Sequence, residues 1–308
     1  MMNILTITLN PAFDLHYYID TYRPYCESYA KGFEINVGGK GVNISRALLA
    51  ENTESTAYVL VGRDNCEGYI ASLQSEGIPS VPILIDGRIR ENLTIHEEGK
   101  FETRISLDTF TASDKILDAL YSEIKHSVDE DTIIAYSGRV PKGISPEKMI
   151  AFFRNLKALG ARISLDSNTF TLEQIGQITP WLVKLNSQEA DNLAPHSGHG
   201  DSRYALLYQL SEFGVSHIVI SNGAEPALYS GEFDCELLPP VINAVSTIGS
   251  GDSLVAGFIS AHARGESMES TLKNAIAYAT ASCLRPGTLP PLKKDIERLL
   301  PQVGLTFK

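Results

Sequence analysis

Residues 247–252 read Thr-Ile-Gly-Ser-Gly-Asp, and no other stretch of the chain narrows the choice of fold so far. Apolar alternation over 241–245 predicts a strand before it. Leu254, Val255, Phe258 and Ile259 fall on one face at helical spacing and predict a helix over 253–264, stopped by Gly265. Two glycines at a helix start let the backbone turn its free N–H groups outward, and with the helix dipole behind them those groups make an anion site. Asp252 stands among these donors. Its bland role is a helix cap, but a cap has no need of Gly-x-Gly before it. An anion hole beside a carboxylate is what phosphoryl transfer to a hydroxyl requires. The N–H groups of Gly249, Ser250 and Gly251 would hold the charge of the moving group, and Asp252 would take the proton of the attacking oxygen.

Two commoner glycine motifs fit poorly. A dinucleotide fingerprint needs Gly or Ala where Leu254 stands, and it usually opens a fold rather than closing one. A P-loop needs Gly-Lys followed by Ser or Thr. Here Gly39-Lys40 is followed by Gly41, and Glu34 stands where the first glycine belongs.

The net charge of −11 argues against nucleic acid or an anionic membrane as partner, and it obliges any anionic substrate to find a local positive patch. Cys26, Cys66, Cys235 and Cys283 are scattered without a C-x-x-C pair and read as reduced thiols. Residues 1–10 alternate like a strand and lack the basic region of a signal peptide. No apolar run reaches membrane-spanning length. A cytoplasmic protein is expected.

Strands are expected over 4–9, 56–61, 81–85, 132–136, 162–165, 182–185 and 217–221, with helices between them, and two short strands over 227–230 and 233–237. Ligand-type residues follow several of these strands, the pattern of an open α/β sheet that binds at its carboxyl edge. Segments 16–35 and 90–107 read instead as extended and lie outside the βα rhythm. They predict a small separate antiparallel sheet, with a turn at Glu98-Gly99. Lys40, wedged between glycines at the start of a helix over 42–51, reads as an anion contact rather than a solvated lysine. Asn43 in the same turn is either a sugar-hydroxyl ligand or a helix-surface amide. Asp14, taken alone, is a turn residue. His196 and His199 flank a Ser-Gly loop and read as solvated rather than as a metal pair.

Asn243-Ala-Val-Ser-Thr-Ile-Gly-Ser-Gly-Asp-Ser-Leu-Val-Ala-Gly257 resembles the C-terminal signature of the ribokinase-like sugar kinases. Val37-Gly-Gly-Lys-Gly-Val-Asn43 resembles their N-terminal one. The nearest likeness is to the phosphofructokinase B branch, which holds 1-phosphofructokinases and tagatose-6-phosphate kinases. The resemblance implies an α/β chain: one ribokinase-like three-layer α/β/α sandwich over 1–308, with a small antiparallel β-sheet lid from insertions at about 14–36 and 88–108. It implies ATP-dependent phosphorylation of a ketohexose phosphate, fructose 1-phosphate or tagatose 6-phosphate.

Asp14, Gly39 and Asn43 would then hold the sugar, and Lys40 and Arg90 its existing phosphate. Arg139 would help in this, although the family usually has Ser at that place. Asn186 and Glu189 match the element that organises Mg²⁺, through water, with the nucleotide phosphates. Ser221, Gly223, Thr247, Gly249, Gly251 and Asn274 would border the nucleotide. The family often responds to potassium through an Asp-Thr pair, for which this chain has Ser246-Thr247, putting that ion in doubt. The lid would pair two copies as a homodimer. Two rivals stay open: a kinase of a free sugar or nucleoside on the same fold, and a non-catalytic nucleotide or sugar-phosphate sensor.

Overall fold

The computed structural model describes residues 2–97, 103–107, 110–194 and 202–308. The Glu98-Gly99 turn and the His196–His199 loop lie outside them. In chain order the strands are β1 (Asn3–Thr8), β2 (Ala12–Ile19), β3 (Ala30–Gly38), β4 (Thr56–Gly62), β5 (Ser80–Ile85), β6 (Arg90–Glu97) and β7 (Thr103–Ser106), then β8 (Thr132–Ser137), β9 (Arg162–Asp166), β10 (Leu182–Asn186), β11 (His217–Asn222), β12 (Glu225–Ser230), β13 (Cys235–Leu238) and β14 (Gly304–Phe307). The helices are α1 (Lys40–Leu48), α2 (Cys66–Ser75), α3 (Lys115–Ile124), α4 (Pro146–Ala158), α5 (Leu172–Ile178), α6 (Ser187–Leu193), α7 (Ser202–Glu212), α8 (Ser250–Ala263), α9 (Met268–Ser282) and α10 (Lys293–Leu299).

The large sheet runs β14-β13-β12-β11-β10-β9-β8-β1-β4-β5. Every neighbouring pair from β11 to β5 is parallel, and β12, β13 and β14 add on antiparallel. Its central strands read as continuous apolar runs because both faces are covered. In β8, Ile134 and Tyr136 join the core under α3, α4, α5 and α7. Ile133 and Ala135 point the other way, into the core under α1, α8, α9 and α10. This is the expected three-layer sandwich.

The order of strands reverses between β1 and β8. Strands that follow β1 in sequence extend the sheet to one side as far as β5, and those from β8 onward extend it to the other. Such a switch point leaves a crevice at the carboxyl edge, between loops that diverge above and below the sheet.

The second sheet runs β3-β2-β6-β7. Its outer pairs are antiparallel, as expected, but β2 and β6 pair in parallel along their whole length, from Ala12↔Arg90 to Ile19↔Glu97, so the sheet is mixed. They belong to separate insertions, and no hairpin joins them to impose antiparallel pairing.

Residues 241–245 form no strand. Pro239-Pro240 ends β13, and Val241 and Val245 are 99% and 64% exposed. The segment is pinned instead by Val245 N–H donating to the Cys283 carbonyl. Apolar alternation alone cannot make a strand where no ladder partner stands beside it.

Candidate active site

Asp252 lies in the first turn of α8, buried to 4% exposure. The N-cap of the helix is Gly249, three residues before Asp252. Asp252 Oδ2 accepts from Asn43 Nδ2 of α1 at 2.9 Å, and Oδ1 lies 3.3 Å from Ser137 Oγ at the end of β8. Those two elements come from either side of the switch point. The cap reading therefore fails, and the acid faces the crevice.

Asp166, at the end of β9, is equally buried. It accepts from Ser137 Oγ at 2.7 Å and Lys40 Nζ at 3.2 Å on Oδ2, and from Lys184 Nζ of β10 at 3.5 Å on Oδ1. Burial alone would raise its pKa, but Lys184 and Lys40 outweigh that and hold it down at about 2. Asp252 goes the other way. Burial, reinforced by the charge of Asp166 and opposed by Lys40, pushes it up to about 6. Neighbouring carboxylates whose pKa values are driven apart can divide labour between a fixed counter-ion and a general base. For Lys40 burial works against the charge, yet Asp166 and Asp252 prevail and hold its pKa above the ordinary lysine value.

The start of α8 has the geometry that an anion site requires. Gly249 caps it with φ 77°, the left-handed region that a side chain would strain. A Cβ on Gly251 would strike Lys184 Nζ, so this buried ammonium lies directly under the first turn. Within an α-helix the N–H groups of Gly251 and Asp252 have no carbonyl four residues back. Ser250 differs from expectation: its N–H donates to the Thr247 carbonyl at 3.3 Å. The donors facing the crevice are therefore the first-turn N–H groups supplemented by Lys184, a residue that the sequence reading passed over.

On the small sheet, Asp14 and Asn92 are register partners. Asp14 Oδ1 accepts from Asn92 Nδ2 at 2.8 Å and from Arg104 Nη2 at 3.1 Å, while Arg90 Nη1 donates to Asn92 Oδ1 at 3.3 Å. A Cβ on Gly38 would collide with Asp14 Oδ2, which places this carboxylate against the turn Gly38-Gly39-Lys40. Asp14, Arg90, Gly39, Lys40 and Asn43 are thus brought together, joined by Arg104, whose default reading is an exposed surface charge. Lys40 turns toward Asp166 and Asp252 rather than toward the arginines. Arg139 is exposed on the loop after β8.

Asn186 and Glu189 lock into each other. Asn186 Oδ1 accepts from Glu189 N–H at 2.9 Å, and Glu189 Oε2 accepts from Asn186 N–H at 2.8 Å. This reciprocal cap begins α6. One oxygen of Glu189 remains to meet a hydrated cation. Ser221 is the register partner of Asn186, and Gly223 turns β11 into β12. Thr247 is exposed beside Gly249.

Asn274 is not brought to this site. Its amide donates to Glu266 at 2.9 Å, just beyond the far end of α8, and it lines a separate cavity of about 520 Å³ with Glu51, Arg264 and Lys293. A helix as long as α8 puts about 20 Å between its ends. Within α9 the small residues around Asn274 instead permit close packing on α8, with Gly257 against Tyr278.

Residues 8–295 match the model of the pfkB family carbohydrate kinases. A 1-phosphofructokinase of Borreliella burgdorferi is 30% identical over 305 residues, covering 97% of each chain. The 1-phosphofructokinase of Escherichia coli K12 is 30% identical over 280 residues, covering 90% of this chain and 89% of its own. Among solved structures, phosphofructokinase-2 of Escherichia coli in complex with potassium superposes with a TM-score of 0.89 at 24% identity, covering 98% of this chain and 99% of that one. The chain belongs to the pfkB family of carbohydrate kinases. It is a phosphotransferase with an alcohol acceptor, built on the ribokinase-like fold.

Proposed function

We propose that this kinase uses ATP to phosphorylate a ketohexose that already carries a phosphate, with fructose 1-phosphate and tagatose 6-phosphate the leading acceptors. The observation that carries the reading is the buried pair of Asp252 and Lys184 at the start of α8. Asp252, in the first turn of α8, can accept a proton, and Lys184, reaching that turn from β10, can hold phosphoryl charge. Asp252 takes the proton of the acceptor hydroxyl as its oxygen attacks the terminal phosphorus and the bond to ADP breaks. Lys184, Lys40 and the N–H groups of Gly251 and Asp252 hold the charge that spreads over the transferring group. Asp14 and Gly39 hold the sugar hydroxyls, and Asn43 positions the base.

Glu189 fits a hydrated Mg²⁺, with Asn186 holding it in place through the reciprocal cap. Bound with the nucleotide, that ion neutralises phosphate charge. The nucleotide lies along Ser221, Gly223, Thr247 and Gly249.

The existing phosphate is assigned to Arg90, supported by Arg104 and Arg139. In a chain of net charge −11 an anionic acceptor needs such a cluster, and a planar arginine fork suits phosphate. The relatives named 1-phosphofructokinase support the same class of acceptor. The small sheet closes over the acceptor as a lid, and its apolar face pairs two copies. The test is a panel of fructose 1-phosphate, fructose 6-phosphate, tagatose 6-phosphate and the free sugars. Arg90→Ala should raise the KM of the phosphorylated acceptor about 10- to 100-fold, the worth of a charged hydrogen bond, and leave the KM of ATP nearly unchanged. If the wild type prefers a free sugar, or the mutation harms both classes equally, a free-sugar kinase takes its place.

A further inference from the structure

Ser137 Oγ stands between the two buried carboxylates, 2.7 Å from Asp166 Oδ2 and 3.3 Å from Asp252 Oδ1. All three side chains are buried. A hydroxyl has one proton to donate. The short bond to ionised Asp166 takes it, because a charge-assisted bond of that length is the stronger one. What Ser137 then turns toward Asp252 is a lone pair. Two oxygens without a proton between them repel at this distance, whereas a proton on Asp252 Oδ1 makes the same contact a hydrogen bond.

We infer that Ser137 is a positioning residue that accepts a hydrogen bond from protonated Asp252, and so stabilises the base in the state it reaches on taking the acceptor's proton. This rests on reading Asp252 as the base. In the step concerned the acceptor O–H bond breaks and its proton goes to Asp252 Oδ1. The oxygen's electron pair forms the new P–O bond, and the pair of the breaking P–O bond leaves with ADP. The proton does not travel on through Ser137, because Lys40 and Lys184 make Asp166 the much weaker proton acceptor. It is lost to water after product leaves.

The charged groups facing Asp252 are Lys40 from α1, Asp166 from β9 and Lys184 from β10, with the Asn43 amide beside them. Both lysines and the amide favour the ionised form. Asp166 favours the protonated form through space, and Ser137 joins it by a bond. The direction of the effect separates this role from a structural one. If Ser137 instead donated to ionised Asp252, removing it would raise the pKa of the base.

The experiment is the pH profile of kcat/KM for wild type, Ser137→Ala, Ser137→Thr and Asp252→Asn. Ser137→Ala should move the acid limb down by about half to one unit, the size of one buried hydrogen bond, and Ser137→Thr should restore it. If Ser137→Ala does not fold, Ser137→Cys, with its much weaker acceptor, carries the same expectation. An acid limb that stays in place or moves up overturns the role of Ser137 while leaving Asp252 as the base. Near-normal turnover in Asp252→Asn removes the base itself, and the inference with it.

Discussion

Asn43 Nδ2 donates to Asp252 Oδ2 at 2.9 Å, and the oxygen of the same amide accepts from Arg46 Nη1 at 3.0 Å. A guanidinium only donates, so it settles which end of the amide faces the carboxylate. Arg46 is itself held by both oxygens of Glu76 and by the Val37 carbonyl. A line of hydrogen bonds therefore runs from partly exposed Glu76 through Arg46 and Asn43 to Asp252. Asn43→Ala removes a bond that favours ionised Asp252. The acid limb of kcat/KM should move up in this variant, opposite to Ser137→Ala, and a pH profile reads it directly.

Asp252→Asn should lower kcat by about 10²–10⁴, the usual worth of a general base, while ATP still binds. A coupled assay and a nucleotide titration check the two halves. Turnover close to wild type would end the assignment.

The pKa of Asp252 also sets a pH dependence of stability. Its folded value of about 6 stands above the ordinary 3.8, so the native state binds the extra proton between the two. Stability from this group is full below about pH 4 and is lost as pH rises through about 6. Asp252→Asn should therefore melt higher than wild type at pH 7–8 and no higher near pH 4. Activity falls as pH drops below about 6, so stability and activity oppose each other at this residue. Melting curves at the two pH values decide the matter.

Gly251→Ala places a methyl where Lys184 Nζ now lies. The ammonium ends a flexible chain and can shift, so the fold should tolerate the change. Its place under the phosphoryl group is lost, and kcat should fall by about 10²–10³, as when an anion-hole donor is removed. A variant with wild-type kcat would show that Lys184 does not serve the transferring group.

The outer face of the small sheet carries Leu15, Ile35, Leu93 and Ile105 in one register line, with Phe33 beside them. Phe33, Ile35 and Ile105 are 66%, 53% and 51% exposed, a patch that a lone chain would leave wet. Light scattering should find about twice the 33.6 kDa of one chain. Ile35→Glu should return the mass to that of one chain. A monomeric wild type would remove the homodimer.

Potassium should matter little. Ser246, where the family often has Asp, accepts through Oγ from the Ile248 N–H at 3.2 Å, and a hydroxyl offers a monovalent ion no negative charge. Exchange of potassium for sodium at constant ionic strength should leave turnover unchanged, whereas strong activation by potassium would show that other oxygens build the site.

The sequence by itself determined the layered α/β architecture and the glycine-flanked helix start that carries Asp252. Both are local matters: apolar runs with period two or 3.6, glycines where φ or space demands them, and a carboxylate three residues into a helix. Two signatures, around Lys40 and around Asp252, were legible for the same reason. Partnership across the sheet was not. Asp166, Lys184, Ser137 and Arg104 look ordinary in sequence; the first three gain meaning only because β8, β9 and β10 lie side by side and end together, and Arg104 because β7 pairs with β6 beside Asp14. The same applies to the parallel pairing of β2 with β6, and to residues 241–245, whose strand pattern finds no neighbour. The pKa of Asp252 is likewise tertiary: burial and the charge of Asp166, 86 positions away in the chain, set it. Side-chain type is written locally, whereas solvent exclusion and charge pairing depend on what the fold brings within a few ångströms.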